Sequence, residues 1–120
     1  MTNGPKGFRV FNMKDKKMYE HTQDYAVDGQ GRILYKGELV DNQKKYHVMF
    51  DTGLRDKENV RIYAGDYVRL ELSERTVEGV VYFNKYYGGF SLESDPFELL
   101  NKSNERNMRV IGNLYDGKIL

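Results

Sequence analysis

Apolar and polar residues alternate over short stretches of this chain, and turns rich in Gly, Asp and Asn separate these stretches. The clearest case is Tyr67 to Leu72, in which Val68, Leu70 and Leu72 alternate with more polar neighbours. A period of two is typical of a β-strand with one buried face. The pattern therefore predicts a mainly β protein in which these three aliphatic residues face a core.

The first part of the chain predicts short hairpins. Their strands cover Phe8 to Phe11, Met18 to Tyr19, Tyr25 to Val27 and Arg32 to Tyr35. Asp28-Gly29-Gln30-Gly31 joins the last two strands, and its glycines allow the positive φ values of tight turns. They do not complete a dinucleotide-binding motif, because no third glycine falls in place and no helix follows. We assign residues 1–45 to an N-terminal β-hairpin subdomain.

The remainder, residues 46–120, predicts a small barrel of short strands, an architecture that leaves few strand edges exposed. The predicted strands are Tyr46 to Phe50, Arg61 to Tyr63, Tyr67 to Leu72, Thr76 to Phe83, Phe90 to Leu92 and Met108 to Tyr115, with a loop over Thr52 to Val60. Asp95-Pro96-Phe97-Glu98 carries the signals of a helix start: an N-cap Asp, Pro at the first helical position, and Glu at the capping-box position. We expect one short helix there.

Composition excludes several kinds of chemistry. The chain has no cysteine, which rules out disulfides, thiolate nucleophiles and cysteine metal sites. Its two histidines, His21 and His47, have no sequence link, and natural metal sites need three or four ligands. We therefore expect no metal and no cofactor. No apolar run is long enough to span a bilayer, so we expect a cytoplasmic protein with no membrane partner.

The loop Asn84 to Gly89 contains the candidate binding residues Lys85, Tyr86 and Tyr87. Exposed tyrosines beside a lysine can stack on nucleic-acid bases while the lysine neutralises a phosphate, and Arg61 is a further candidate for such a site. A hairpin tip whose tyrosines cover a small core is the more common arrangement. The net charge of +1 gives the nucleic-acid interpretation no electrostatic support.

Several segments resemble the YopX family of phage and prophage proteins. The central one is Thr52-Gly53-Leu54-Arg55-Asp56-Lys57 followed by Ile62-Tyr63-Ala64-Gly65-Asp66-Tyr67-Val68. Phe8-Arg9-Val10-Phe11 with Lys16-Lys17-Met18 is similar to the family's opening, and Val110-Ile111-Gly112-Asn113-Leu114-Tyr115 to its closing strand. The resemblance implies a mostly β protein with an SH3-like barrel in its C-terminal half, encoded by phages or prophages of mainly Gram-positive hosts. It implies no established biochemical activity.

This chain departs from the family pattern at two positions. Asn59 stands where the family usually has a turn glycine, which bears on the geometry of that loop. Asp51 replaces the usual aromatic residue before Thr-Gly, and this replacement creates an enzymatic hypothesis.

That hypothesis is a dimeric, retropepsin-like aspartic protease. Asp51-Thr52-Gly53 follows the apolar Val48-Met49-Phe50, and Val110-Ile111-Gly112-Asn113 is similar to the apolar-apolar-Gly element of those proteases. Two chains would pair two Asp51 carboxylates, which share one proton and divide the acid and base roles. Against it, Leu54 replaces a small residue and no Gly-rich flap is evident between Thr76 and Phe83. We expect no catalytic residue, and a solvated Asp51 in a loop.

The leading functional hypothesis is a non-catalytic phage accessory protein that binds another macromolecule, most simply a protein partner, with a nucleic-acid-binding barrel as the alternative. Residues 1–45 contain few large aliphatic side chains, and isolated hairpins are marginally stable in water. We therefore expect this part to pack on the barrel or on a second copy, which predicts a homo-oligomer.

Overall fold

The computed structural model describes residues 7–20, 23–94 and 96–116, and it confirms a mainly β protein. Its strands are β1 Phe8–Asn12, β2 Lys17–Tyr19, β3 Tyr25–Val27, β4 Ile33–Tyr35, β5 Glu38–Leu39, β6 Tyr46–Arg55, β7 Arg61–Tyr63, β8 Asp66–Glu71, β9 Thr76–Asn84, β10 Gly89–Leu92, β11 Glu98–Leu99 and β12 Met108–Asn113. Two 3₁₀ helices cover Gln43–Lys45 and Lys102–Asn107. None of the helices among these residues is long and apolar enough to cross a membrane.

The chain divides into two compact units, Met1–Phe50 and Asp51–Leu120. The division lies inside β6, whereas the boundary expected from the sequence lies between residues 45 and 46. Residues 46–50 of β6 pair with β1, and residues 51–55 pair with β7. The assignment of two domains stays a prediction.

The first unit buries a small core of its own. Strand β1 lies between β2 and the start of β6, and β3, β4 and β5 form a second antiparallel sheet. Val10, Tyr25 and Ile33 are buried, and the ring of Tyr25 contacts those of Tyr19, Tyr35 and Tyr46. The count of aliphatic residues underestimated this core because tyrosine rings contribute to it beside Val10 and Ile33. Self-association stays a prediction.

In the second unit, five antiparallel strands form a sheet in the order β11-β10-β9-β8-β12. The predicted alternation in β8 is confirmed: Val68 and Leu70 are fully buried, and Leu72 packs partly buried against the same cluster. The other buried members of this cluster are Leu54, Ile62, Val77, Val81, Leu92, Leu100 and Met108. Closure of the sheet into an SH3-like barrel stays a prediction.

The predicted helix after Asp95 is wrong for the residues that the structure describes. Asp95 itself lies outside them. Glu98 and Leu99 form the edge strand β11, paired with β10, and the backbone N–H of Leu100 donates to the carbonyl of Phe90. Because strand pairing also buries Leu100, tertiary contacts outweigh the local capping signal.

Helical structure begins a few residues later, in a segment whose polarity the sequence analysis did not associate with a helix. The Asn101 side chain accepts a hydrogen bond from the Ser103 N–H at 2.9 Å. The Asn104 side chain in turn accepts one from the Asn101 N–H at 2.8 Å. This reciprocal pair is a capping box built from two asparagines, and it starts the 3₁₀ helix at Lys102.

Candidate functional site

The segment that carries the family resemblance contains side chains that close turns of the backbone. Asp56 is 5% exposed, and its carboxylate accepts three backbone N–H groups, those of Glu58, Val60 and Val110, each at 2.9 Å. The first two bonds close the turn between β6 and β7. The third holds β12 against that turn. Asp56 therefore has a structural role that leaves no oxygen directed at a ligand.

Neighbouring residues of the same segment have similar roles. The buried Asp66 carboxylate accepts the Tyr63 N–H at 2.8 Å, which closes the turn between β7 and β8. The Thr52 hydroxyl donates to the carbonyl of Ile62 at 2.8 Å and accepts the N–H of Leu54 at 3.0 Å. The residues with the clearest sequence signal thus stabilise the fold.

Asp51 is not a solvated loop residue, and that expectation is wrong. It lies in β6 with its side chain 12% exposed, because β6 continues beyond Phe50 through the predicted loop to Arg55. Its carboxylate accepts the Gly53 N–H at 2.8 Å and pairs with the Arg61 guanidinium at 2.5 Å. This bond raises the pKa of Arg61. Asp51 and Arg61 neutralise each other.

Asn84 organises the turn between β9 and β10. Its side chain is buried and accepts the N–H of Tyr86 at 3.1 Å, while its carbonyl accepts the N–H groups of Tyr87 and Gly88 at 3.2 and 2.9 Å. Gly88 has a φ of 69°, which a glycine adopts without strain. Asn84 therefore closes the turn with one hydrogen bond to its side chain and two to its main-chain carbonyl.

Aromatic rings on this turn and beside it are exposed. Tyr86 is 87% exposed, Tyr87 63%, Phe83 54% and Phe97 38%. The rings of Tyr87 and Phe97 lie 5.4 Å apart, and a groove of about 590 Å³ runs between the aromatic side chains and Lys85. The interpretation in which the tyrosines cover a small core is wrong for Tyr86, which projects into solvent. We call Phe83, Lys85, Tyr86, Tyr87 and Phe97 the tip surface.

Comparison with known proteins identifies the family. The family model described as YopX protein matches residues 7–118. The chain belongs to the YopX family. No curated protein matches this YopX sequence.

A solved structure has a similar fold. The crystal structure of protein EF1440 from Enterococcus faecalis superposes with a TM-score of 0.62 at 22% identity, covering 91% of this chain and 92% of the other. At this level of identity the likeness concerns the fold alone.

The structure of this YopX protein brings together only part of the predicted site. Lys85, Tyr86 and Tyr87 lie together on the tip surface, whereas Arg61 lies on β7, paired with Asp51, and is not among the described residues that line the groove. Sequence analysis missed Phe83 and Phe97. It assigned Phe83 to the end of a strand and Phe97 to the start of a short helix, so neither carried a signal for exposure.

Of the two histidines, the structure describes one. His21 lies outside the described residues. His47 lies in β6, where its Nε2 atom is 2.9 Å from the sulfur of Met13. Within the described ranges, no group of three or more His, Cys, Asp or Glu side chains is placed to hold a metal ion.

Proposed function

We propose that this YopX protein is a non-catalytic accessory protein, encoded by a phage or prophage, that binds another macromolecule through the tip surface. The observation that carries the proposal is the exposure of four aromatic rings, two on the turn that Asn84 closes and two, Phe83 and Phe97, beside it. Exposed aromatic clusters mark interaction sites, since rings of this size are usually withdrawn from water. The proposal rests on this surface because a fold by itself does not define an activity.

The hydrogen bonds within the turn support this assignment. A binding loop that is already ordered loses little conformational entropy when its partner arrives, so more of the contact energy appears as affinity. Asn84 supplies that order through three hydrogen bonds to the turn backbone.

The proposal gives Asp51 no catalytic role. Catalysis by a pair of aspartates requires two carboxylates close enough to share one proton. Each Asp51 carboxylate already accepts hydrogen bonds from the Arg61 guanidinium and from the Gly53 N–H. Pairing two Asp51 carboxylates would therefore require breaking the ion pair with Arg61. We expect no cleavage of peptides at acidic pH. Cleavage that is present in the wild type and lost in Asp51→Asn would contradict this.

Affinity capture from bacterial cells tests the binding role. The tagged wild type is compared with a Tyr86→Ala, Tyr87→Ala double variant and with Phe50→Ala, a control that removes an exposed ring in the first unit. We expect the wild type and the control to retain the same partner and the double variant to lose it. Equal recovery by all three proteins would refute a binding role for the tip surface.

We also propose that the protein acts in the cytoplasm of the bacterial host and forms homo-oligomers. Family membership supports the phage association. Sedimentation at high micromolar concentration tests the oligomer, and a strict monomer would remove it.

A further inference from the structure

We infer that the partner of the tip surface is single-stranded nucleic acid, whose bases stack on Tyr86, Tyr87 and Phe97 while Lys85 contacts a phosphate. This inference rests on the proposed binding role of the same surface and names the class of ligand. Binding of single strands commonly combines aromatic platforms, on which any base can stack, with cations that follow the backbone. The tip surface contains both components within one turn and one adjoining segment.

The area of the surface favours contact with a few nucleic-acid bases over contact with a second copy of the chain. If a fully exposed ring presents about 200 Å², the four rings together expose about 500 Å². A twofold interface made from this surface alone would bury about 1,000 Å², less than the roughly 1,200 to 2,000 Å² of stable specific interfaces. Two or three stacked bases need no more area than the rings provide.

The placement of the rings also suits stacking. Tyr86 is 87% exposed, so a base can reach its ring. Tyr87 and Phe97 lie beside each other with centroids 5.4 Å apart and planes at 45°, and Tyr87 is 63% exposed. The open groove beside them has a volume of about 590 Å³.

The positive charge in the groove favours a ligand with phosphate groups over a neutral peptide. Lys85 is exposed at the centre of the turn and is the one charged side chain among the described residues that line the groove. Arg61 does not contribute, because its guanidinium is paired with Asp51. A single phosphate contact predicts binding that depends weakly on salt, with a slope of log K against log salt of about −0.7.

Fluorescence anisotropy with labelled oligothymidylate and oligouridylate of about 12 nucleotides tests the inference, with a duplex of the same length as a reference. We expect binding of the single strands in preference to the duplex, and the two single-strand arms separate DNA from RNA. Tyr86→Ala and Tyr87→Ala should each weaken binding about 5- to 150-fold, the loss of one base stack. Phe50→Ala should leave binding unchanged.

The salt dependence provides the sharper readout. Lys85→Ala should weaken binding and flatten the salt slope by about 0.7, the share of one phosphate contact on a single strand. Lys44→Ala, which removes an exposed lysine of the first unit, should leave both unchanged. Thermal unfolding of each variant checks that the fold is intact, as the exposure of these side chains leads us to expect.

Two results would overturn the inference: no binding of either single strand at low salt, or binding that is equal in the wild type and in both tyrosine variants. If capture from cells then still depends on Tyr86 and Tyr87, the partner is a protein and the proposed function stands without the nucleic acid. If capture is also insensitive to the tyrosines, both proposals fail.

Discussion

Substitution of Asp56 by alanine should destabilise the second unit strongly. The carboxylate is 5% exposed and accepts three backbone N–H groups at 2.9 Å, and alanine leaves all three without this acceptor. Glu58 and Val60 are exposed, so water can replace the carboxylate there. Val110 is partly buried in β12, where water is a poorer substitute.

The magnitude follows from these differences. A lost hydrogen bond to a charged group costs about 1.5–3 kcal/mol where the donor stays unpaired, and about 0.5–1 kcal/mol where water reaches it. One bond of the first kind and two of the second give a loss of about 2.5–5 kcal/mol for Asp56→Ala. Domains of this size are stable by roughly 5–15 kcal/mol, so this loss is a large share of the total stability. Asp56→Asn keeps one acceptor oxygen and should lose less.

Urea unfolding at neutral pH measures these losses, and Asp28→Ala is the matched control. The Asp28 carboxylate also accepts three donors, from Gln30 and Arg32, but in an exposed turn. We expect Asp28→Ala to shift the urea midpoint far less than Asp56→Ala. Equal shifts, or a loss below about 1 kcal/mol for Asp56→Ala, would refute the idea that a buried acceptor decides the cost.

Two further predictions concern the second unit. Gly79→Ala should cost about 1–3 kcal/mol in urea unfolding, since a Cβ there would lie 2.3 Å from the main-chain oxygen of Glu93, while Gly89→Ala, with no atom within 4 Å, should be neutral; similar losses for both would contradict this. The N–H of Arg55 lowers the pKa of Glu105 below its ordinary value of 4.5, so the stabilisation by this carboxylate is complete above that pH and is lost as the pH falls below it. The urea midpoints of wild type and Glu105→Gln should therefore differ at neutral pH and converge in acid, and a gap independent of pH would count against this bond.

The strands could be predicted from the sequence where burial on one face imposes a period of two, as for β8. Helix signals were less informative, because the capping pattern before Phe97 competes with strand pairing to β10, and pairing depends on residues distant in sequence. The capping box that does form uses Asn104 where glutamate is the usual signal. Asn59, where the family usually has glycine, has a φ of 69°, a conformation that asparagine tolerates.

The candidate site was predicted only in part, for a similar reason. Lys85, Tyr86 and Tyr87 are contiguous in sequence, so a pattern search finds them. Phe97 joins them only through the fold, and its ring contact with Tyr87 cannot be deduced from spacing. The pairing of Arg61 with Asp51 likewise depends on the register between β6 and β7, which no local pattern specifies.

Site-specific photo-cross-linking in bacterial cells tests most directly whether the tip surface is the functional site of this protein. A photoreactive phenylalanine analogue replaces Tyr86 in one variant and Phe50, exposed to 51%, in the control. We predict that irradiation joins a defined macromolecule to position 86 and that the same product is absent at position 50. Identical products at both positions, or no product at position 86, would contradict the assignment of function to this surface.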